Sequence, residues 1–512
     1  MPDSASASSI SFAELWKSAC ILSGNLKRAG LNAGDRAIIM IPMSIDLYIT
    51  LLAVVKSGAI AVFVDPWIPA KRMAAFANFA EPTAFIGIGK SHWLRFMEPE
   101  LRKIDLTVTT GRRFAGFPAR YKLADLKQGT PDWSLTEVTQ QAPALITFTS
   151  GSSAEPKGAN RTHQFLRSQH QALNHEFPYC PADIDMPMFP IFALNNLVSG
   201  ITSVIPNMDF KKVAEVQGAT IARQMRLHSV TTCTASPPFI DRLCDQIESS
   251  GTQPELRRVL TGGAPVSNRQ LERWRSLMPE SQVVVAYGST EAEPVGHIDA
   301  VQRLELDPSE AGYCTGKTSE LVQARVIHIC KSVDDLQGRT LEELTLGPNQ
   351  IGELVVSGQH VCRDYYRNPQ ATAENKLRDM AGNIWHRMGD TGRLDSDGRF
   401  WLAGRLHSTI TRDSAFLHPQ LIEQMLSNSV EGLTRVAAVG VTNESLGQAC
   451  WIVAEVKSQK PETIVEIQSQ MQQHGFPCDN VVLVTNPLPV DPRHNSKIDY
   501  DALRQQLEAI DR

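Results

Sequence analysis

The feature that most constrains this chain is the regular exchange of helical and extended segments over its first 140 residues. Residues 12–29 carry helical apolar spacing and stop at Gly30, residues 36–41 make a short apolar strand, and residues 45–56 return to helical spacing. Such an exchange implies βαβ units on a largely parallel sheet. It recurs downstream, with a helix expected over 268–276 and a strand over 283–286. Between about 352 and 401 it gives way to short strands and turns, at 353–357, 399–402 and the turn from Asp395 to Gly398. After Arg405 come helices over 419–427 and 464–474 and strands over 436–441, 452–456 and 481–484. The expected architecture is therefore α/β. Residues 1–406 form a large N-terminal region of stacked parallel-sheet subdomains with a β-barrel-like portion, and residues 407–512 a small mobile α+β domain. The hinge is expected near 405–408.

Charge and cysteine content narrow the classes. Lys and Arg number 50 against 55 Asp and Glu, a net −5 over 512 residues. A dedicated nucleic-acid binder or a polybasic membrane anchor would show a clustered basic excess. The nine cysteines are scattered, and no pair has C-x-x-C spacing, which points to free thiols in a reducing compartment. Residues 1–11 lack a basic segment followed by an apolar one, so no secretory signal is expected. The most apolar stretch, 47–64, is broken by Lys56, Ser57 and Gly58, short of the roughly 20 apolar residues of a spanning helix. A cytoplasmic enzyme without nucleic-acid partners or a transmembrane segment is the expectation.

The strongest local signal is TFTSGSSAEPKG at 147–158, which follows an apolar strand and gathers five hydroxyls and two glycines around Lys157. Glycines let backbone N–H groups approach an anion, and hydroxyls and an ammonium donate to phosphate oxygens. The segment cannot be written as a Walker A loop. Alone it reads equally well as a surface loop. It is followed in order by Gly262-Gly263-Ala264-Pro265, by Ala286-Tyr287-Gly288-Ser289-Thr290-Glu291, by MGDTG at 388–392, by Gly404-Arg405, and by DPRHNSKI at 491–498.

In this order and spacing the motifs resemble the adenylate-forming superfamily of acyl-CoA synthetases, peptide-synthetase adenylation domains and luciferases, over residues 12 to 505. The resemblance implies attack of a carboxylate on the α-phosphate of ATP, giving an acyl-adenylate and pyrophosphate. Bringing two anions together demands positive charge and in-line positioning. Thr149, Ser150, Gly151, Ser152, Ser153 and Lys157 match the family's loop around the β- and γ-phosphates. Gly262, Gly263, Ala264, Pro265, Ala286, Tyr287 and Gly288 match its adenine pocket, Thr290 an α-phosphate contact, and Glu291 the Mg²⁺ carboxylate. Mg²⁺ is usually held by one or two carboxylates plus substrate phosphates, which suits a lone Glu. Asp390 matches the ribose-binding carboxylate, Arg405 a further ribose or phosphate contact, and Lys497 the catalytic lysine. ATP and Mg²⁺ are the implied cofactors.

Four departures from the family pattern bear on the product. Ser153-Ala154 replaces the usual Thr-Gly of the phosphate loop. In FPIFA at 189–193, Pro190 stands where many acyl-CoA synthetases carry a gating histidine, and Ala193 where amino-acid activators carry an aspartate, so an α-amino acid is not expected. Ser414 falls where CoA ligases place a glycine lining the pantetheine channel. The ending PVDPRHNSK at 489–497 replaces a Thr/Ser-Gly-Lys pattern. With AYGSTEAEP at 286–294 and FPIFAL at 189–194, it is most similar to the olefin-biosynthesis β-lactone synthetase branch. There the acid's own 3-hydroxyl closes on the activated carbonyl and AMP leaves, with no external thiol. The implied substrate is a fatty, 3-hydroxy, 2-alkyl acid, its tail near 189–199 and Phe239, and its source or fate pathway enzymes. His494 can serve as base or as support for Lys497. Two other readings stay open: acyl-CoA or acyl-carrier ligation through the same adenylate, and a non-catalytic acyl- or nucleotide-binding relative.

Overall fold

The first two helices of the chain start where a hydroxyl can satisfy the orphan N–H groups of a first turn. A computed structural model describes residues 8–64, 76, 78–111, 118–149, 157–307, 310–332, 334–336, 338–413, 415–490 and 498–510. Ser11 and Glu14 form a reciprocal capping box that opens the helix Phe12–Arg28, and Ser44 caps Ile45–Lys56. These two helices pack on a seven-stranded sheet ordered Tyr121–Lys122, Leu106–Thr110, Ala84–Ile88, Arg36–Met40, Ile60–Phe63, Pro143–Thr149, Lys157–Thr162. All its pairings are parallel except the last, in which Lys157–Thr162 returns antiparallel beside Pro143–Thr149.

The second sheet has twelve strands and changes character halfway. Thr202–Ser203, Ile184–Pro187, Thr232–Ala235, Arg258–Gly262 and Gln282–Ser289 run parallel. Ala292–Asp299 then folds back antiparallel on Gln282–Ser289. Tyr313–Thr318, Arg399–Arg405, Ile384–Leu394, Gly352–Ser357 and Gln323–Ile327 continue antiparallel, with Lys376–Arg378 added beside Ile384–Leu394. This half takes up the stretch expected to be barrel-like. The largest core lies under the parallel half, around the fully buried Phe239, Trp274 and Ile240.

The third sheet has five strands, Ala415–Leu417, Ile410–Arg412, Gly447–Val456, Leu433–Asn443, and Asn480–Val484 parallel to Gly447–Val456. Its long strands alternate: Val436, Ala438 and Ile452 face the helices Pro419–Ser429 and Pro461–Gln473, while Val439, Val441 and Trp451 face Tyr500–Ile510. That period-two pattern is what lets one sheet be covered on both sides.

The mixed α/β class is as the sequence implies, and so are most elements. Ile45–Lys56 matches to the residue, and Pro419–Ser429 runs two residues further than expected. The short hairpin Ile410–Arg412 with Ala415–Leu417 is not visible in the sequence, because neither arm has room for an alternating pattern. At the expected hinge, Arg405 closes a strand and Leu406–Ser408 makes one 3-10 turn. Among the described residues no helix is long and apolar enough to cross a membrane.

The antiparallel half is pinned by a buried ion pair. Arg387 reaches Glu353 with Nη2 to Oε2 at 2.6 Å, the two side chains being 8% and 1% exposed. Arg387 also donates to the Glu374 carbonyl at 3.0 Å. Removing one partner of such a pair leaves an uncompensated buried charge. Glu353→Ala is expected to lower stability by about 3–5 kcal/mol in urea denaturation; a loss below about 1 kcal/mol would mean that the pair does not secure these strands.

Candidate active site

Of the sequence-predicted residues, Gly262 to Pro265, Ala286 to Gly288, Thr290 and Glu291 lie at the C-terminal ends of the parallel strands, where the second sheet turns antiparallel, with Asp390 and Arg405 beside Tyr287. Gly262 ends Arg258–Gly262 beside Ala286, and a Cβ there would sit 2.6 Å from the Ala286 carbonyl oxygen. Glycine is required at that approach. Gly263 follows at φ +81°, and Ala264 and Pro265 carry the chain to the helix Asn268–Leu277. Ala286, Tyr287 and Gly288 lie on Gln282–Ser289, and Ser289 to Ala292 make the turn into the next strand. Thr290 and Glu291 are therefore the tip of a hairpin.

Asp390 sits between two partners. The Tyr287 hydroxyl donates to its Oδ2 at 2.6 Å, and Arg405 Nη1 lies 2.8 Å from its Oδ1. Register explains both: Asp390 pairs directly with Arg405 across the antiparallel strands, and Gly389 at φ +65° lets the strand kink beside it. The Asp390 carboxylate raises the Arg405 pKa further, outweighing burial. Burial first, and Asp390 second, push the Tyr287 phenol well above its ordinary range. The Tyr287 ring lies 5.6 Å from that of Phe400, tilted by 32°.

Glu291 is 9% exposed, and its Oε1 accepts the Tyr365 hydroxyl at 2.9 Å. Burial opposes its ionisation, but nearby His386, Lys376 and the Tyr365 hydrogen bond together outweigh it and hold the carboxyl below its ordinary value. His386 itself is driven down to about 3 by burial and then by Lys376, and burial lowers the Lys376 pKa in turn. Lys376 donates to the Cys362 carbonyl at 2.5 Å and lies 5.2 Å from the Tyr365 ring centroid. An ionised, hard carboxylate at a hairpin tip suits Mg²⁺ shared with substrate phosphates. Among the described residues no group of three or more His, Cys, Asp or Glu forms a metal cluster. Arg161 Nη2 fixes the Thr290 carbonyl at 2.7 Å.

Lys157 begins its strand with Nζ 3.7 Å from Glu374 Oε2. The backbone of Thr149 ends the preceding strand, while Ser150, Gly151, Ser152, Ser153, Ser414, His494 and Lys497 lie outside the described residues. Tyr365, Lys376, His386 and Glu374 were not singled out from sequence. Their segment carries no motif of its own; the bridge of Val361 to Ala292, the Cys362 amide donating to the Glu291 carbonyl at 2.7 Å and the pairing of Lys376 with His386 bring it to Glu291.

Next to this site is apolar wall. Phe192, Phe177, Leu173, Leu260 and Val284 form one buried cluster, with Phe189, Ile191 and Ala286 packed on it. Pro190 occupies the first turn of the helix Pro190–Ser199, where its missing N–H costs nothing. Asn196 anchors that helix by donating to the buried Asp185 at 2.8 Å. Phe239, expected near an acyl tail, is 1% exposed and belongs to the main core instead.

Asp390→Ala would leave the Arg405 guanidinium and the Tyr287 hydroxyl without their shared acceptor. A loss of about 1–3 kcal/mol in urea denaturation is expected; unchanged stability would show that water replaces the carboxylate at no cost.

Comparison with known proteins gives concordant likenesses. The family model described as AMP-binding enzyme matches residues 4–366. An olefin beta-lactone synthetase of Stenotrophomonas maltophilia is 30% identical over 503 residues, covering 94% of this chain and 88% of that protein. One from Xanthomonas campestris pv. campestris is 28% identical over 511 residues, covering 96% and 90%. The crystal structure of ATP-bound MatB from Rhodopseudomonas palustris superposes with a TM-score of 0.79 at 21% identity, covering 99% of this chain and 95% of that one, a likeness of fold.

Proposed function

Because the chain belongs to the AMP-binding enzyme family, and so is an ATP-dependent adenylate-forming enzyme, we propose that it converts a 2-alkyl-3-hydroxy fatty acid to a β-lactone. The observation that carries this reading is the near full-length likeness to a protein named olefin beta-lactone synthetase, 30% identical over 94% of the chain. The apolar cluster beside Ala286, against which a fatty tail can pack, supports it.

The proposed chemistry has two steps. A carboxylate oxygen of the acid attacks the α-phosphorus of ATP, the bond to the bridging oxygen breaks, and pyrophosphate leaves. The 3-hydroxyl oxygen then attacks the acyl carbon, the acyl–phosphate C–O bond breaks, AMP leaves, and the hydroxyl proton passes to a base. An intramolecular attack held in geometry gains very large effective molarity.

In this reading Tyr287 packs on the adenine, while Asp390, oriented by Arg405, takes the ribose hydroxyls. Thr290 donates to the α-phosphate, and Lys157 with the segment 149–153 holds the outer phosphates. Bound Mg²⁺, held by Glu291, would neutralise phosphate charge. Residues 1–406 make up the adenylation unit, and 407–512 the lid that brings Lys497 to the reacting oxygens.

Purified protein with ATP, Mg²⁺ and a 2-alkyl-3-hydroxydecanoic acid is expected to release AMP and form lactone equally with and without CoA. AMP release that requires CoA would assign it to acyl-CoA ligation, and no AMP under either condition would leave a non-catalytic relative. Lys497→Ala should reduce adenylation by about 10²–10³, the loss typical of a donor that meets developing charge, while calorimetric ATP binding persists. Undiminished adenylation in that variant would show that another residue does this work.

A further inference from the structure

The apolar wall beside Ala286 has an edge, and sheet register shows where it lies. On Gln282–Ser289 the wall includes Val284, with Ala286 packed on it. Directly opposite these two on Ala292–Asp299 stand Asp299 and His297. Residues directly opposite in an antiparallel pair share a face, their Cβ atoms about 5 Å apart. One strand sideways, therefore, the apolar face becomes polar. One strand further on, Lys317 pairs with His297 and is exposed.

The His297 ring at this edge is held in place. Its Nδ1 lies 3.1 Å from Glu176 Oε2, the carboxylate side chain being 9% exposed. The Ser319 hydroxyl donates to the other oxygen, Oε1, at 2.6 Å. Ser319 is itself buried, and its amide donates to the Val295 carbonyl at 2.8 Å, two residues before His297 on the same strand. Glu176 ends the helix His163–Glu176. The next residue, Phe177, belongs to the wall and meets the His297 ring edge-on, with centroids 5.1 Å apart. Burial lowers the His297 pKa, against Glu176 and then Asp299, which favours the neutral ring near neutrality. The side chain stays 34% exposed, so the ring borders open space as well as the wall.

We propose that His297 ends the acyl wall and limits the length of tail the protein accepts, with Glu176 as its positioning residue. The inference rests on the reading that a fatty acid is adenylated with its tail along this wall, and it adds where the tail stops. A tail that reaches past Ala286 meets an imidazole backed by a nearly buried carboxylate. Pushing the ring aside would part Glu176 from its partner where little water can replace it. Packing methylenes over the polar edge would strip water from groups whose hydrogen bonds a tail cannot restore. Each methylene beyond the edge then gains nothing, whereas a continuing apolar channel would add about fourfold per methylene.

The test is AMP release by the full chain with ATP, Mg²⁺ and two series of 2-alkyl-3-hydroxy acids, one lengthening the main chain and one the 2-alkyl group. Each enzyme is read as kcat/KM relative to its own value for the parent's best acid. The unsubstituted enzyme should pass through a maximum in one series and fall beyond it. In that series His297→Ala should raise the relative value for the acid two methylenes past the maximum by roughly 15-fold, the worth of burying two methylenes. Glu176→Ala, which leaves the ring unheld, should shift the profile the same way. Glu176→Gln keeps an oxygen for Ser319 and a polar partner for the ring, so it should restore the parent's profile. A variant that merely loses stability or active fraction lowers a whole series without changing its shape. Parent profiles that keep rising with length, or alanine variants whose profiles match the parent's, overturn the proposal and leave adenylation standing. No AMP from any acid with the unsubstituted enzyme would sink the adenylation reading, and the proposal with it.

Discussion

The contact on which the candidate site depends is the grip of one carboxylate on two strands. Asp390 accepts from Tyr287 on one side and pairs with Arg405 on the other, so the end of the parallel half and the antiparallel half meet at a single charged group. A carboxylate can serve two donors without losing acceptor capacity, because each oxygen carries two lone pairs. Remove that centre and the Tyr287 hydroxyl loses its acceptor, while Arg405 closes its strand beside a turn without its carboxylate partner.

A second organisation of charge surrounds Glu291. Its burial would ordinarily favour the neutral acid, yet His386, Lys376 and the Tyr365 hydroxyl hold its carboxyl below its ordinary value. Lys157 is held a few ångströms from Glu374, two residues before Lys376. One short stretch of chain, 374–376, thus bears on the electrostatic surroundings of both Lys157 and the hairpin-tip carboxylate.

Much of this was legible in the residues, and what was not has physical reasons. The helical apolar spacings over 12–29 and 45–56 are local signals, and those helices appear where read. The convergence of Gly262, Tyr287, Asp390 and Arg405 was legible through family resemblance, since no periodicity says that residues 103 apart in sequence touch. The hairpin after Ser289 was not readable because Ala292–Asp299 mixes Glu293, Pro294 and His297 with apolar residues and shows no clean alternation. Tyr365 and Lys376 escaped notice for a related reason. Their value lies wholly in a neighbour brought near by sheet pairing, and a lysine in sequence looks like a solvated one.

The hairpin formed by Gln282–Ser289 and Ala292–Asp299 also acts as a ruler. Tyr287 stands on the first strand and Glu291 in the tight turn that follows it, and successive strand residues point to opposite faces. Inserting or deleting a single residue there would turn the aromatic ring away from Asp390 while leaving the carboxylate at the tip. The distance between the two ends of whatever lies along this edge is therefore graduated in the backbone itself. Divergence in what the protein accepts has to accumulate elsewhere, in the wall around Phe189 and Phe192, where volume can change without altering the measure.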